Sequence, residues 1–133
     1  MSLLKKIFMF STISVLAFLF TGCGNSSSSS ENTVLEIGAI EVYSDSDHNT
    51  YRTTNDELYN RNSLTASHKN LAYGTYIKVT NLLNGYRTIV KINDHLLSEN
   101  CVIKVSHQAA KQLGIATEIP ASTTVSLELS SGQ

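Results

Sequence analysis

This chain of 133 residues has no tryptophan, a single proline and two cysteines. It carries no basic patch interleaved with aromatics, and its 10 Lys+Arg are outweighed by 11 Asp+Glu. These absences exclude nucleic acid as a partner, because phosphate backbones call for clustered cations and bases for stacking platforms. Neither His95 nor His107 has a ligating partner at a recognisable spacing, so no zinc site is expected. The longest apolar run, Ile7 to Phe20, is 14 residues interrupted only by Ser11, Thr12 and Ser14. That is short of the ~20 a helix needs to cross a hydrocarbon core. No internal repeat is evident.

The amino terminus instead has the order of a secretory leader. Lys5 and Lys6 precede the apolar run, and the small residues Thr21 and Gly22 lead to Cys23. The run Leu19-Phe20-Thr21-Gly22-Cys23 resembles a bacterial lipobox. That resemblance implies a signal peptide over 1–22, with Cys23 the lipidated first residue of the mature chain. Several acyl chains on one cysteine would anchor it stably, since each buried methylene adds ~0.8 kcal/mol. Gly24 follows, with no aspartate to retain the protein at an inner membrane, so the expected place is the periplasmic face of an outer membrane. Residues 23–33, with the serines Ser26 to Ser30, read as a polar tether. With Cys23 lipidated, Cys101 has no partner for a disulfide, and its run Cys101-Val102-Ile103 marks it as a small buried hydrophobe. Removing Lys5 and Lys6 with the leader leaves 8 Lys+Arg against 11 Asp+Glu, a formal charge of −3.

Residues 34–133 suffice for one small domain. Strand signals dominate it. Val34 to Tyr43 reads as a strand with a bulge at Gly38. Ser44 to Asn62 is polar and aperiodic, a long loop with at most one helical turn. Leu64 to Asp94 reads as a loop carrying His68, then a strand, a tight turn and a second strand ending at an aspartate. Those strands are Thr75 to Leu83 and Tyr86 to Ile92 around Asn84-Gly85, a turn pair that tolerates positive φ. Thr88, Val90 and Ile92 share one face with Tyr86. Val102 to Val105 is a further short strand. Ser106 then serves as N-cap of a helix over His107 to Leu113, with Gly114 after it. Val125 to Leu129 alternates cleanly and closes the domain. Many short strands and one helix predict a small closed β-barrel.

Three titratable side chains stand in or beside loops: Glu57, His68 and Asp94. By residue type they form a candidate acid/base set. The plainer readings are a solvated Glu57, a hydrogen-bonded structural His68 and an Asx-turn at Asp94. His107, just inside a helix start, reads as a surface residue.

The motifs LTASHKNL, GTYIKVTN, the Asn-Gly turn and VKIND resemble the core signature of the rare lipoprotein A family. In that family a glutamate stands eleven residues ahead of the histidine; Glu57 holds that spacing to His68, and Tyr59 matches the family's aromatic. Ile92-Asn93-Asp94 matches its Val-Asn-Asp. The resemblance implies a mainly β, six-stranded double-psi β-barrel with one or two short helices. It implies a lytic transglycosylase that cleaves peptidoglycan glycan strands, peptide-stripped ones preferred, to 1,6-anhydromuramyl products. It further implies no cofactor, no metal, and cell-division proteins as partners. By the resemblance, Asp94, Glu57 and His68 would occupy the positions of that active site. Asp94 is expected to be the acid/base, a role that suits a carboxyl whose pKa is raised, and Glu57 and His68 to hold substrate or tune the acid; exchanging Asp94 with Glu57 fits nearly as well.

The chain also departs from the family. Where the family continues Asn-Asp with Arg-Gly-Pro-Phe this chain has Asp94-His95-Leu96-Leu97, Ile-Asp-Leu-Ser is Ile103-Lys104-Val105-Ser106, and Trp-Tyr-Gly survives at best as Val42-Tyr43-Ser44. A groove-facing Lys104 would favour ionised carboxylates; a solvent-facing one would leave them alone. A catalytically silent glycan-binding barrel, or a scaffold for protein contacts, are the competing readings.

Overall fold

The computed structural model describes residues 33–117 and 123–131. The leader, Cys23 and the serine-rich tether lie outside them. The described residues form six strands: β1 (Val34–Val42), β2 (Thr65–His68), β3 (Tyr76–Asn81), β4 (Arg87–His95), β5 (Ile103–Val105) and β6 (Thr124–Leu129). One helix, α1 (His107–Gln112), stands between β5 and β6, and a 3-10 turn at Asp45–Asp47 follows β1. The strands close into a barrel in the order β1-β5-β2-β4-β3-β6. β1–β5 and β2–β4 are parallel, and the other neighbours run antiparallel. This is the mainly β, closed six-stranded barrel with one short helix that a double-psi β-barrel requires.

The strand faces explain the closure. Ile77 and Val79 of β3 and Val90 and Ile92 of β4 alternate inward and are fully buried. Ile103, Val105, Val125 and Leu127 meet them, and Ala109, Ala110 and Leu113 of α1 complete the core. Ser106 caps α1 as expected, its hydroxyl accepting from the Ala109 N–H. At the other end Gly114 takes φ +67°, and the Leu113 carbonyl accepts from the side-chain amides of Asn81 (2.9 Å) and Asn84 (3.0 Å). A Cβ on Gly114 would stand 2.8 Å from the Asn84 amide nitrogen. Gly114→Ala is therefore expected to cost about 1–2 kcal/mol for the left-handed backbone alone, lowering Tm by about 5–15 °C in a thermal melt.

Several local expectations are corrected. Thr65–His68 is a strand, not a loop, because it pairs on both sides with β4 and β5. The register shift of β1 lies between Val34 and Glu36, not at Gly38. Gly38 serves close approach instead: a Cβ there would sit 2.3 Å from Val102 Cγ1. At the Asn-Gly turn only Gly85 has positive φ. The connection runs over Leu82 to Gly85, closed by Gly85 N–H to the Asn81 carbonyl, which frees the Asn84 amide for α1. The polar segment Ser44 to Asn62 is folded: Arg52 and Leu58 bridge, the Tyr59 N–H donates to Tyr51, and Tyr59 is buried.

Candidate active site

The site is built where β2 and β4 run parallel. Ala66 pairs with Ile92, but the next residue, Ser67, pairs with Asp94. Asn93 is thus an extra residue in β4, a bulge that re-aims the side chains beyond it. By strict alternation Asp94 would share the core face of Val90 and Ile92. The bulge turns it instead toward the end of β1 and the segment after it.

There its carboxylate is surrounded by donors. Tyr43 O–H (2.6 Å) and Tyr51 O–H (2.9 Å) donate to Oδ2. The Thr54 N–H (2.9 Å), the Thr54 hydroxyl (2.9 Å) and the His95 N–H (3.0 Å) donate to Oδ1. Tyr73 O–H in turn donates to the Thr54 hydroxyl at 2.8 Å. Asp94 is only 2% exposed. Burial by itself opposes its ionisation, but the bonds from Tyr43, Thr54 and Tyr51 outweigh it and hold the carboxyl below the ordinary carboxylate value. This is the opposite of the raised value that suits a general acid. The same geometry acts oppositely on the phenols: burial and then the Asp94 bond push Tyr51 up to about 12 and Tyr43 further still.

Asp94 lies in a groove of about 240 Å³ whose lining includes Glu41, Asp47, Tyr51, His95 and Lys104. Lys104 faces this groove, with its Nζ 4.8 Å above the centre of the Tyr43 ring. Of the two readings of Lys104, the groove-facing one holds. Tyr43 also stacks on Tyr59 (4.5 Å, 25°). His107, expected on the surface, is 8% exposed beneath this stack. Its Nδ1 meets the Tyr59 hydroxyl at 3.1 Å and its Nε2 meets Asp45 Oδ1 at 3.0 Å. The start of α1 is packed against the folded 44–62 segment, which is why it is not free to the solvent. A larger cavity, about 590 Å³, opens beside α1 near Arg61, His107 and Lys111, but none of Glu57, His68 and Asp94 lines it.

The other two expected residues stand apart from that carboxylate. Glu57 is exposed, and its Oε2 accepts from the Asn93 amide at 2.9 Å, the residue the bulge inserts beside Asp94. His68 is buried at the end of β2, next to His95 in register. Its Nδ1 accepts the N–H groups of Asn70 and Leu71, which puts the proton on Nε2, 3.0 Å from Glu36. His68 orders the turn after β2, and neither it nor Glu57 is among the residues lining the groove. Burial pushes the Cys101 thiol up, in keeping with a small buried hydrophobe. Tyr51 and Thr54 escaped sequence reasoning because they sit in an aperiodic stretch; an aromatic inside so polar a segment was the available signal. Among the described residues no cluster of His, Cys, Asp and Glu is placed to hold a metal.

Tyr43→Phe removes one charge-assisted bond and is expected to cost about 1.5–3 kcal/mol in urea denaturation at neutral pH. The Asp94 value then moves back up toward the ordinary carboxylate range. The variant should therefore lose less stability than wild type between neutral pH and about pH 3, which paired urea curves measure.

The family whose model matches residues 36–126 is described as lytic transglycolase. The chain is similar to the probable endolytic peptidoglycan transglycosylase RlpA of Synechocystis sp., 48% identical over 65 residues, covering 48% of this chain and 20% of that protein. It is also similar to the endolytic peptidoglycan transglycosylases RlpA of Vibrio cholerae and Campylobacter jejuni. The first is 41% identical over 64 residues (47% of this chain, 24% of that protein). The second is 44% identical over 63 residues (47% and 23%). The chain thus spans about a quarter or less of the curated relatives it matches. With a family match running from β1 into β6 over a closed six-stranded barrel, this chain belongs to the lytic transglycolase family of double-psi β-barrels.

Proposed function

We propose that this barrel is a lytic transglycosylase that cleaves peptidoglycan glycan strands, peptide-stripped ones by preference, and leaves 1,6-anhydromuramyl ends. The observation that carries the reading is Asp94, a carboxylate held by five hydrogen-bond donors in a groove beside a strand bulge. The reaction needs a proton delivered to the departing glycosidic oxygen and another drawn from the muramyl 6-hydroxyl, which attacks the anomeric carbon itself. No enzymic nucleophile and no activated water are required, unlike the two-carboxylate hydrolases.

The geometry favours a division of that work. Asp94, kept ionised by its donors, stabilises positive charge at the anomeric carbon and takes the 6-hydroxyl proton. Glu57 is the exposed carboxyl of the pair, its Oε2 held by the Asn93 amide beside the bulge, and takes the part of the acid. This is the exchange of roles that sequence reasoning left open. His68 is a positioning residue for the turn after β2. At the cell envelope, the leader and lipobox-like run support an outer-membrane lipoprotein facing the periplasm, acylated on Cys23, with cell-division proteins as partners. Labelled fatty acid incorporated by the full chain should be lost in Cys23→Ala.

The test is a product assay on peptide-stripped sacculi, with released fragments weighed by mass spectrometry. Fragments ending in 1,6-anhydromuramic acid are expected from the wild type. Glu57→Gln should lose that release yet keep turnover of a muramyl aryl glycoside, whose leaving group needs no proton; if it loses both, Glu57 is not the acid. The second reading, a silent glycan-binding barrel, draws on Lys104 in the groove. It stands if sacculi are bound and nothing is released.

A further inference from the structure

Among the described residues, Lys104 is the one lysine or arginine on the lining of the Asp94 groove, where Glu41, Asp47 and Asp94 are the carboxylates. It occupies the middle of β5, between the buried core residues Ile103 and Val105, so its side chain leaves the barrel on the groove side. In register it lies between Glu41 of β1 and Ser67 of β2. Even so, among the described residues it forms no ion pair. The three carboxylates have other partners: Asp94 has its five donors, Glu41 accepts from the Ser98 hydroxyl, and Asp47 caps its own 3-10 turn. The ammonium rests instead over the Tyr43 ring, whose hydroxyl donates to Asp94. A cation resting on a ring face still has N–H donors to offer a ligand.

A saccharide seated with its reacting carbon at Asp94 therefore has Lys104 one aromatic ring away. A neutral pyranose gains little from an ammonium there, and an anionic one is repelled by the other groove charges unless that ammonium meets it. Muramyl residues are the anionic sugars of peptidoglycan, through the lactyl carboxylate when peptide-free or through stem-peptide carboxylates when substituted. The geometry points to Lys104 as a specificity-determining residue that receives a carboxylate carried by the muramyl sugar, an inference that rests on the glycan-cleaving reading above. The ammonium–carboxylate contact is charge-assisted, so it separates muramyl ligands from uncharged ones of the same length.

The experiment measures binding of the full chain by calorimetry to three saccharides of one length. They are an uncharged chito-oligosaccharide, a peptide-free muramyl oligosaccharide and a peptide-bearing one. At low salt the wild type should prefer a muramyl ligand over the chito-oligosaccharide about 10-fold, and the preference should shrink as salt rises. Lys104→Gln should bring the ratio near one, and Lys104→Arg should restore most of it. The muramyl ligand that carries the preference identifies the carboxylate, lactyl or stem-peptide. A preference that survives Lys104→Gln unchanged overturns the assignment. A wild type that binds all three equally overturns it too, while leaving the transglycosylase reading intact. Binding to none of them overturns both.

Discussion

Asp94→Asn is expected to lower release of glycan fragments by about 10²–10⁴-fold, the range for loss of a positioned acid/base group, while the barrel stays folded. The amide has the carboxylate's shape but presents one oxygen and one NH₂. Three donors meet Oδ1, two of them backbone N–H groups that cannot reverse. Two tyrosine hydroxyls meet Oδ2, and these can rotate to accept. The amide oxygen therefore takes the Thr54 and His95 side, and the NH₂ faces Tyr43 and Tyr51. What is lost is the charge, at about 1.5–3 kcal/mol of stability. The pH dependence comes from the sign of the shift. Asp94 titrates below its unfolded value of 3.8, so its contribution is fully present above that value and is lost as pH falls through the folded one. Wild type should weaken on acidification below about pH 4. The variant, with nothing to titrate there, should show a shallower slope in urea curves at pH 3 and pH 6. An undiminished product yield from Asp94→Asn would remove Asp94 from the chemistry, whatever its effect on stability.

Ile103→Ala is expected to be the most damaging core change, at about 2–5 kcal/mol, enough to drop Tm by about 10–30 °C. Ile103 is 0% exposed and lies in β5, a strand of only three residues that pairs with β1 on one side and neighbours β2 on the other. Its side chain joins the cluster that includes Ile40, Val105 and Leu127. So short a strand has few other apolar anchors with which to collapse onto the cavity. Lys104 and Val105 come directly after it, so the groove face should loosen with the core. A thermal melt by circular dichroism measures this, and a Tm within a few degrees of wild type would show that β5 is held chiefly by its backbone ladder.

The family resemblance and the barrel were legible in short local motifs. Ser106 and Gly114 marked the ends of α1, and alternation in Thr88, Val90 and Ile92 marked the inward face of β4. These signals survive because caps, turns and half-buried strands depend on residues only a few positions apart. Cys101 as a buried thiol was legible for the same reason, from its apolar neighbours. Thr65–His68 was not, since four residues with one small apolar side chain carry no period, and only pairing with β4 and β5 makes them a strand.

Residue identity and spacing alone determined which carboxylates and which histidine were candidates, because Glu57, His68 and Asp94 could be matched to a motif without any coordinates. Tertiary structure alone decided what each can do. The bulge at Asn93 turns Asp94 from the core face to the groove, and Tyr43, Tyr51 and Thr54 arrive from 40 to 51 residues away to hold it ionised. The same closure sends His68 to Glu36, buries His107 beneath Tyr59, and brings Lys104 over Tyr43. A side chain's ionisation depends on the donors and charges within a few ångströms of it. In a barrel that interleaves parallel and antiparallel strands, those neighbours come from distant stretches of chain that no local pattern records.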